Sequence, residues 1–351
     1  MKSPVTLLDV ASAANVSKST VANVFSRPER VRPEVREKVE AVARQLGFAG
    51  PDARGRLLSS GKAHAIGVVP SGEGIAWVFD DPYMRHFLGG VAAACQDRHV
   101  AMQLIDGHGE AGGEAIRRAV VDGLILHTND QVRALDPAFR RKMPVVVMDV
   151  SSDADISSVS IDDRGGAALL ARHLIGLGHR RFLVATYTRG YIAPVLHRQT
   201  GGPRQLVSAH RVDEERLAGV SAALAEAGLS INDMPLVEAW GSEEERRLFG
   251  SGADLILDNL DGATAVIALG GDIALSTLAT ARARGIDVPG TLSIAGFDDP
   301  PEAAGAGLTA IAAPVAESAR VAAGLLFSGE RRHVQLPVEL VVRTSTAAAP
   351  R

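Results

Sequence analysis

Ser17-Lys18-Ser19-Thr20, with Asn23 one residue short of a further helical turn, groups side chains that hydrogen-bond polyanions. An asparagine can bridge the N6 and N7 groups of adenine, and a lysine can donate to guanine. Hydroxyls hold phosphate oxygens and fix register. No comparable grouping for covalent chemistry is found. The sequence has no phosphate-binding Gly-rich loop, no Gly-x-Ser-x-Gly elbow and no His/Glu metal spacing. The adjacent pairs Asp162-Asp163 and Asp298-Asp299 raise acid/base work, but neighbours on a strand or loop diverge, so loop or capping duty is expected of them. His173 and His179 flank a helix end, and surface or packing roles are expected there.

The elements that must carry the first group are short helices. Thr6 reads as an N-cap with Asp9 in the first turn. Val10, Ala11 and Ala14 then share a face, and Asn15-Val16 breaks the pattern. Ser17 caps a second helix whose Val21 and Val24 point to the same core. Arg27-Pro28 ends it. Pro33 suits the first turn of a third helix, with Val35, Val39, Val42, Ala43 and Leu46 at helical spacing and Gly47 as the stop. Two short helices joined by so tight a turn form a helix-turn-helix. A small protein-interaction domain is the competing reading of this head, and the polar face of helix two favours DNA.

Charge agrees with that division. Residues 1–61 hold ten Lys and Arg against six Asp and Glu, whereas the remainder holds 27 against 35. A basic head on an acidic body places a polyanionic partner at the N-terminus. At 351 residues the chain exceeds one ordinary core. The single cysteine, Cys95, excludes an intramolecular disulfide and a cysteine-based zinc site, and suits a reducing compartment. No apolar run reads as a signal peptide or a bilayer span, so a cytoplasmic protein is expected. Neither a cofactor nor a metal is called for.

From Ala65 onward, short apolar runs alternate with amphipathic helices. Strands are expected at 65–69, 101–105, 123–126, 145–149, 181–185, 236–240, 265–269 and 292–296. Helices are expected near 85–98, 164–177, 214–228 and 272–285. Such alternation implies parallel sheets covered by helices. Two units in tandem leave a cleft at the carboxyl ends of the strands.

The segment from Pro4 to Ser26, PVTLLDVASAANVSKSTVANVFS, resembles the signature of the lactose-repressor (LacI/GalR) family, and Arg30–Val39 resembles that family's third helix. Further similar stretches follow in order: Val159–Ala167, His173–Arg181, Arg216–Gly219, Ile294–Asp299 and Leu336–Thr346. The resemblance implies an α/β chain. A three-helix head occupies 1–49, a hinge 50–61 and a two-lobed body 62–351 like that of periplasmic sugar-binding proteins. The N-lobe is expected at about 62–163 and 296–327, and the C-lobe at about 164–295 and 328–346.

By the same resemblance, Lys18, Ser19 and Asn23 read bases, while Ser17 and Thr20 hold phosphates; Thr6 is counted with them at the DNA. Ala22-Asn23 stands where many relatives carry Ser-Arg. Gly55-Arg56-x-Leu58 matches the hinge motif, with Leu58 as a minor-groove wedge, Leu57 as the second choice and Arg56 at the DNA. Arg216 and Asp272 become the leading effector-site residues, a forked donor and a bidentate acceptor suited to vicinal hydroxyls. Ser71, Tyr83, Asp149, Asp163 and Trp240 are further candidates to line the cleft. The segment 187–215, with Arg189, Tyr191, His197, Arg198, Arg204, His210 and Arg211, is longer than the usual family connection. It reads either as a surface insertion or as a basic flap over the cleft.

The function implied is a non-enzymatic, ligand-responsive repressor that binds a pseudo-palindromic operator in double-stranded DNA as a homodimer. Its expected effector is a carbohydrate. The alternatives are a solute-binding protein without a DNA role, or an effector that is a nucleobase or an anionic metabolite.

Overall fold

The computed structural model describes residues 5–50, 57, 61–70, 75–128, 131–132, 135–148, 156–187, 193–198, 211–239 and 252–350. The chain divides into two compact units. Met1–His64 with Val120–Asp122 forms the first, and the remainder forms the second.

In the first unit, α1 (Leu7–Ala14) is opened by a reciprocal cap. Thr6 N–H and Oγ1 each donate to Asp9 Oδ2 at 2.7 Å, and Asp9 N–H returns to Thr6 Oγ1 at 3.4 Å. Asn15 takes the left-handed conformation that ends the helix. Ser17 caps α2 (Lys18–Ser26), and Pro33 opens α3 (Pro33–Leu46), which ends at left-handed Gly47. The core is small: Val10, Ala11, Ala14, Val21, Val24, Val39 and Ala43 are buried together. An edge-on contact between Phe25 and Phe48, 5.6 Å between ring centres, covers one side. Of the hinge, Leu57 alone among residues 51–60 is described; it is helical and half-buried. Arg56 and Leu58 lie outside the described residues.

The second unit holds two sheets. Its helices include α4 (Pro82–Asp97), α5 (Gly109–Arg118), α6 (Asp163–Gly176), α7 (Arg211–Glu226), α8 (Gly252–Asp258), α9 (Gly271–Ala283), α10 (Pro301–Ala306) and α11 (Val315–Ser328), besides short turns of helix at Trp77–Asp80 and Pro137–Lys142. The strands are β1 (Ala65–Val69), β2 (Ala101–Leu104), β3 (Leu124–Leu126), β4 (Val145–Val147), β5 (Ser157–Ile161), β6 (Phe182–Tyr187) and β7 (Val195–His197). They continue with β8 (Leu236–Ala239), β9 (Ala265–Ala268), β10 (Ser293–Phe297), β11 (Thr309–Ala312), β12 (His333–Leu336) and β13 (Glu339–Val341).

The first sheet runs β12-β5-β4-β3-β1-β2, all parallel. The second runs β13-β11-β10-β9-β6-β8-β7, parallel except at its two edges, where β13 and β7 are antiparallel to their neighbours. Its central strands are buried on both faces, which is why they read as continuous apolar runs. The α6/α7 pair covers one face, and the approach is close. A Cβ on Gly219 would stand 2.1 Å from the Arg164 carbonyl oxygen.

The lobe boundaries expected from sequence require correction. Residues 296–312 belong with the second sheet, because Thr309, Ala310 and Ile311 pair in parallel with Ala295, Gly296 and Phe297. Residues 333–336 belong with the first sheet, because they pair with Ser158–Ile161. The chain therefore crosses between lobes after β5, between β11 and α11, and at Pro337-Val338 between β12 and β13.

The long segment is also revised in part. Residues 195–197 extend the second sheet as β7, so this stretch is sheet edge rather than flap. His197 Nε2 lies 2.6 Å from Glu238 Oε1, a carboxylate shut off from solvent. Arg198 reaches Asp261 and Asn259, and Arg211 opens α7. Arg189, Tyr191, Arg204 and His210 lie outside the described residues.

Candidate functional site

The exposed surface at the start of α2 is built by its cap. Ser17 Oγ accepts the Thr20 N–H at 3.0 Å and lies 2.8 Å from both the Ser19 and the Thr20 hydroxyl. Three hydroxyls thus gather at a helix N-terminus, where free N–H groups and the helix dipole favour anions. Ser17, Lys18 and Ser19 are exposed; Thr20 and Asn23 are half-buried on the same helix. Val21 and Val24 anchor the opposite face in the core. The face displays donors, a cation and an amide at readable spacing, and it is the part of the head suited to groove contacts.

The second site lies in the body at the carboxyl ends of the strands of the second sheet. Asp163 follows β5 at the start of α6; Arg216 comes from α7. Tyr187 ends β6, Asp272 opens α9 just past β9, and Asp298 follows β10. Arg216 is its centre. Its Nε donates to Asp163 Oδ1 at 2.7 Å. One terminal nitrogen donates to the Leu269 carbonyl at 2.8 Å and to Asp298 Oδ2 at 3.3 Å. The guanidinium carbon stands 3.7 Å from the centre of the Phe297 ring. Burial opposes its charge, but Asp298 and Asp163 outweigh burial and hold the guanidinium still more firmly protonated.

Tyr187 donates its hydroxyl to Asp272 Oδ1, which also accepts the Ile273 N–H at 2.9 Å. Burial and the Asp272 charge raise the Tyr187 hydroxyl well above its ordinary range, so it remains a donor. Gly270 is required for this arrangement, since a Cβ there would stand 2.3 Å from the Tyr187 oxygen. Burial raises the Asp272 carboxyl.

The other lobe contributes the N-terminus of α4. Asp81 caps it, Oδ1 accepting the Met84 N–H at 2.8 Å. Burial, followed by the charges of Asp272 and Asp298, raises Asp81 to about 6. Tyr83 lies in the field of Asp298, Arg216, Asp163 and Asp81, and stacks edge-on with His127 at 5.5 Å. Burial, chiefly, raises the Tyr83 hydroxyl above its usual range. Asp81 and Tyr83 of the first lobe thus lie within electrostatic range of Asp298 of the second.

The sequence candidates fall as follows. Arg216, Asp163, Asp272 and Tyr83 converge, although Arg216 forms its ion pairs with Asp163 and Asp298 rather than with Asp272. The cap of α6 is Asp162, which leaves Asp163 for Arg216. Ser71, Asp149 and Trp240 lie outside the described residues. Asp298, Asp81 and Tyr187 were missed as cleft residues. The sequence pattern expects loop or capping duty of both Asp298 and Asp299, and Asp299 alone performs it, forking onto Arg343 at 2.7 and 2.8 Å. His179 packs as expected: fully buried, it bonds Thr264, Ser293 and the Ala347 carbonyl. Among the described residues no cluster of His, Cys, Asp and Glu is arranged to hold a metal, and no helix is long and apolar enough to cross a membrane.

Comparison with known proteins gives the same two parts. Residues 6–50 match the model of the bacterial regulatory proteins of the lacI family, and residues 171–346 match the periplasmic binding protein-like domain. The HTH-type transcriptional regulator Rv3575c of Mycobacterium tuberculosis is 34% identical, with 98% of this chain and 97% of the relative covered. Among solved structures, a transcriptional regulator CelR–cellobiose complex is 25% identical with a TM-score of 0.62, covering 97% of this chain and all of that one. The Lac repressor dimer bound to operator and the anti-inducer ONPF shares the fold, with a TM-score of 0.76 at 23% identity, 98% of this chain and 100% of that one being covered. These relatives are regulators rather than enzymes, and the chain belongs to the LacI family of DNA-binding transcriptional regulators.

Proposed function

We propose that this regulator is a cytoplasmic repressor, binding a pseudo-palindromic operator as a homodimer and responding to a sugar-class effector held between its lobes. The observation that carries the effector reading is the buried Arg216. It is fixed by Asp163 and Asp298 where the strands of one lobe end, opposite Asp81 and Tyr83 of the other. Carboxylates and a forked guanidinium are matched to adjacent hydroxyls, each of which donates and accepts. Effector occupancy changes lobe closure and thereby operator affinity, a coupling of about 1–3 kcal/mol. At the DNA, Lys18, Ser19 and Asn23 read bases; Ser17 and Thr20 hold phosphates. The paired hinge, with Leu58 as its wedge, folds on the operator. The cellobiose complex of the CelR relative supports the sugar class.

A thermal-shift screen of sugars, nucleobases and sugar phosphates tests this, because a ligand that binds the folded state raises its melting temperature. A sugar that shifts the body and alters operator binding is the expected result. A nucleobase as the sole responder refutes the sugar assignment.

A further inference from the structure

One carboxylate holds the chain where the hinge segment ends and the first strand begins. The Gly61 N–H donates to the Leu57 carbonyl at 2.8 Å, and Gly61 takes a left-handed backbone, φ 66°, which stops a helical turn there. Strand β1 opens at Ala65. Between them, the Ala63 N–H donates to Asp122 Oδ1 at 2.7 Å and the His64 N–H to Asp122 Oδ2 at 2.8 Å. His64 is itself left-handed, φ 51°, a conformation that a residue with a Cβ adopts at a cost. Two left-handed residues thus bend the chain twice within four positions, and a single side chain satisfies two successive amides at the second bend. Residues 61–64 form a fixed joint, not a loose linker.

The carboxylate comes from 58 and 59 positions away in sequence, so no local turn accounts for it. Its backbone is well anchored. Val121 on one side is buried. Gly123 on the other starts the pairing of β3 with β1, its carbonyl accepting the Gly67 N–H at 2.9 Å. A Cβ on Gly123 would stand 2.7 Å from a Leu326 methyl of α11, so this end of β3 cannot slide. The joint is therefore clamped from the root of an inner strand of the first sheet.

We propose that Asp122 is a positioning residue for operator binding, fixing residues 61–64 so that the hinge is presented to DNA from a defined point on β3. This rests on the reading that residues 50–61 fold on the operator. A segment ordered in advance loses less conformational freedom when it binds. The gain appears only on a duplex that engages the hinge, so Asp122 serves specific affinity above non-specific affinity. It also makes β3 the element through which a movement of the first lobe reaches the hinge.

Asp122→Ala removes both acceptors. Asp122→Asn removes the same charge and keeps one acceptor, which separates the clamp from any effect of charge on a polyanion. The full chain and both variants are compared by amide hydrogen exchange and by affinity for two duplexes of equal length, the one enriched by binding-site selection and an unrelated one. Urea unfolding of the body is the control. Asp122→Ala is expected to speed exchange at residues 61–64 and to weaken the selected duplex about tenfold. The unrelated duplex and the unfolding midpoint should stay as they were, with Asp122→Asn falling between. Selected-duplex affinity within twofold of the unmodified chain overturns the positioning role and reduces Asp122 to a local cap. Equal weakening of both duplexes, or a lowered midpoint, overturns it in favour of a general structural role. The hinge reading fails separately, if the selected duplex does not slow exchange at residues 51–60 of the unmodified chain.

Discussion

Replacing Arg216 with methionine isolates the interaction on which the cleft is built. The side chain is 7% exposed, and its carboxylate partners Asp163 and Asp298 are 13% and 21% exposed. Methionine preserves contact with Phe297 but strands two carboxylates and the Leu269 carbonyl. Breaking a buried ion pair from one side costs about 3–5 kcal/mol. Because both aspartates keep some access to water, about 3 kcal/mol is expected here. The triple variant Arg216→Met/Asp163→Asn/Asp298→Asn removes the stranded charges and should recover roughly half of that loss. Arg216→Lys should fall between, since a lysine cannot reach both carboxylates with a planar fork. Urea unfolding followed by tryptophan fluorescence measures this in the intact protein, as both tryptophans, Trp77 and Trp240, lie in the body and none in the head. An Arg216→Met body within 1 kcal/mol of the unmodified protein would show that the ion pairs do not organise the cleft. So would a triple variant less stable than the single one.

Gly219→Ala forces a Cβ toward the Arg164 carbonyl and separates α6 from α7, at a cost of about 1–3 kcal/mol in the same unfolding assay. Asp81 gives the body a pH dependence. Its folded carboxyl, raised from 3.8 to about 6, holds a proton that the unfolded chain has released. Stability therefore falls as pH rises from about 4 through 6, by at most about 3 kcal/mol, and Asp81→Asn flattens the profile in that window. A variant with an unchanged slope would place the titration elsewhere. Tyr187→Phe removes the donor to Asp272 and should lower body stability by about 1 kcal/mol, again by urea unfolding.

The head was legible almost residue by residue, because its signals are local. Thr6, Ser17, Pro33 and Gly47 cap or open helices through contacts within a few positions, and the structure places them where the pattern does. The body was legible where strands are buried on both faces, as at Val266-Ile267 or Ile294-Ala295, and less so where pairing is set at long range. Nothing local in Thr309–Ala312 or His333–Leu336 states which sheet each joins; that is decided by partners more than ten residues away in one case and about 175 in the other. In the cleft, Arg216 and Asp163 were identified and Asp298 was not. The expectation that adjacent aspartates diverge was sound. Asp298 adopts a left-handed backbone, φ 67°, and it turns to Arg216 while Asp299 turns to Arg343. Sequence reasoning could say that the two would part but not which would enter the cleft. Asp81 was not singled out at all, and the structure shows it as the N-cap of α4.

The central claim, sequence-specific recognition by the α2 face, is tested most directly by binding-site selection from random duplexes, run in parallel with the full protein and Asn23→Ala. Enrichment of a pseudo-palindrome is predicted, with Asn23→Ala relaxing the preference at one symmetry-related pair of positions by about 1–3 kcal/mol while the rest of the motif persists. Failure to enrich any palindrome, or an Asn23→Ala motif identical at every position, would contradict it.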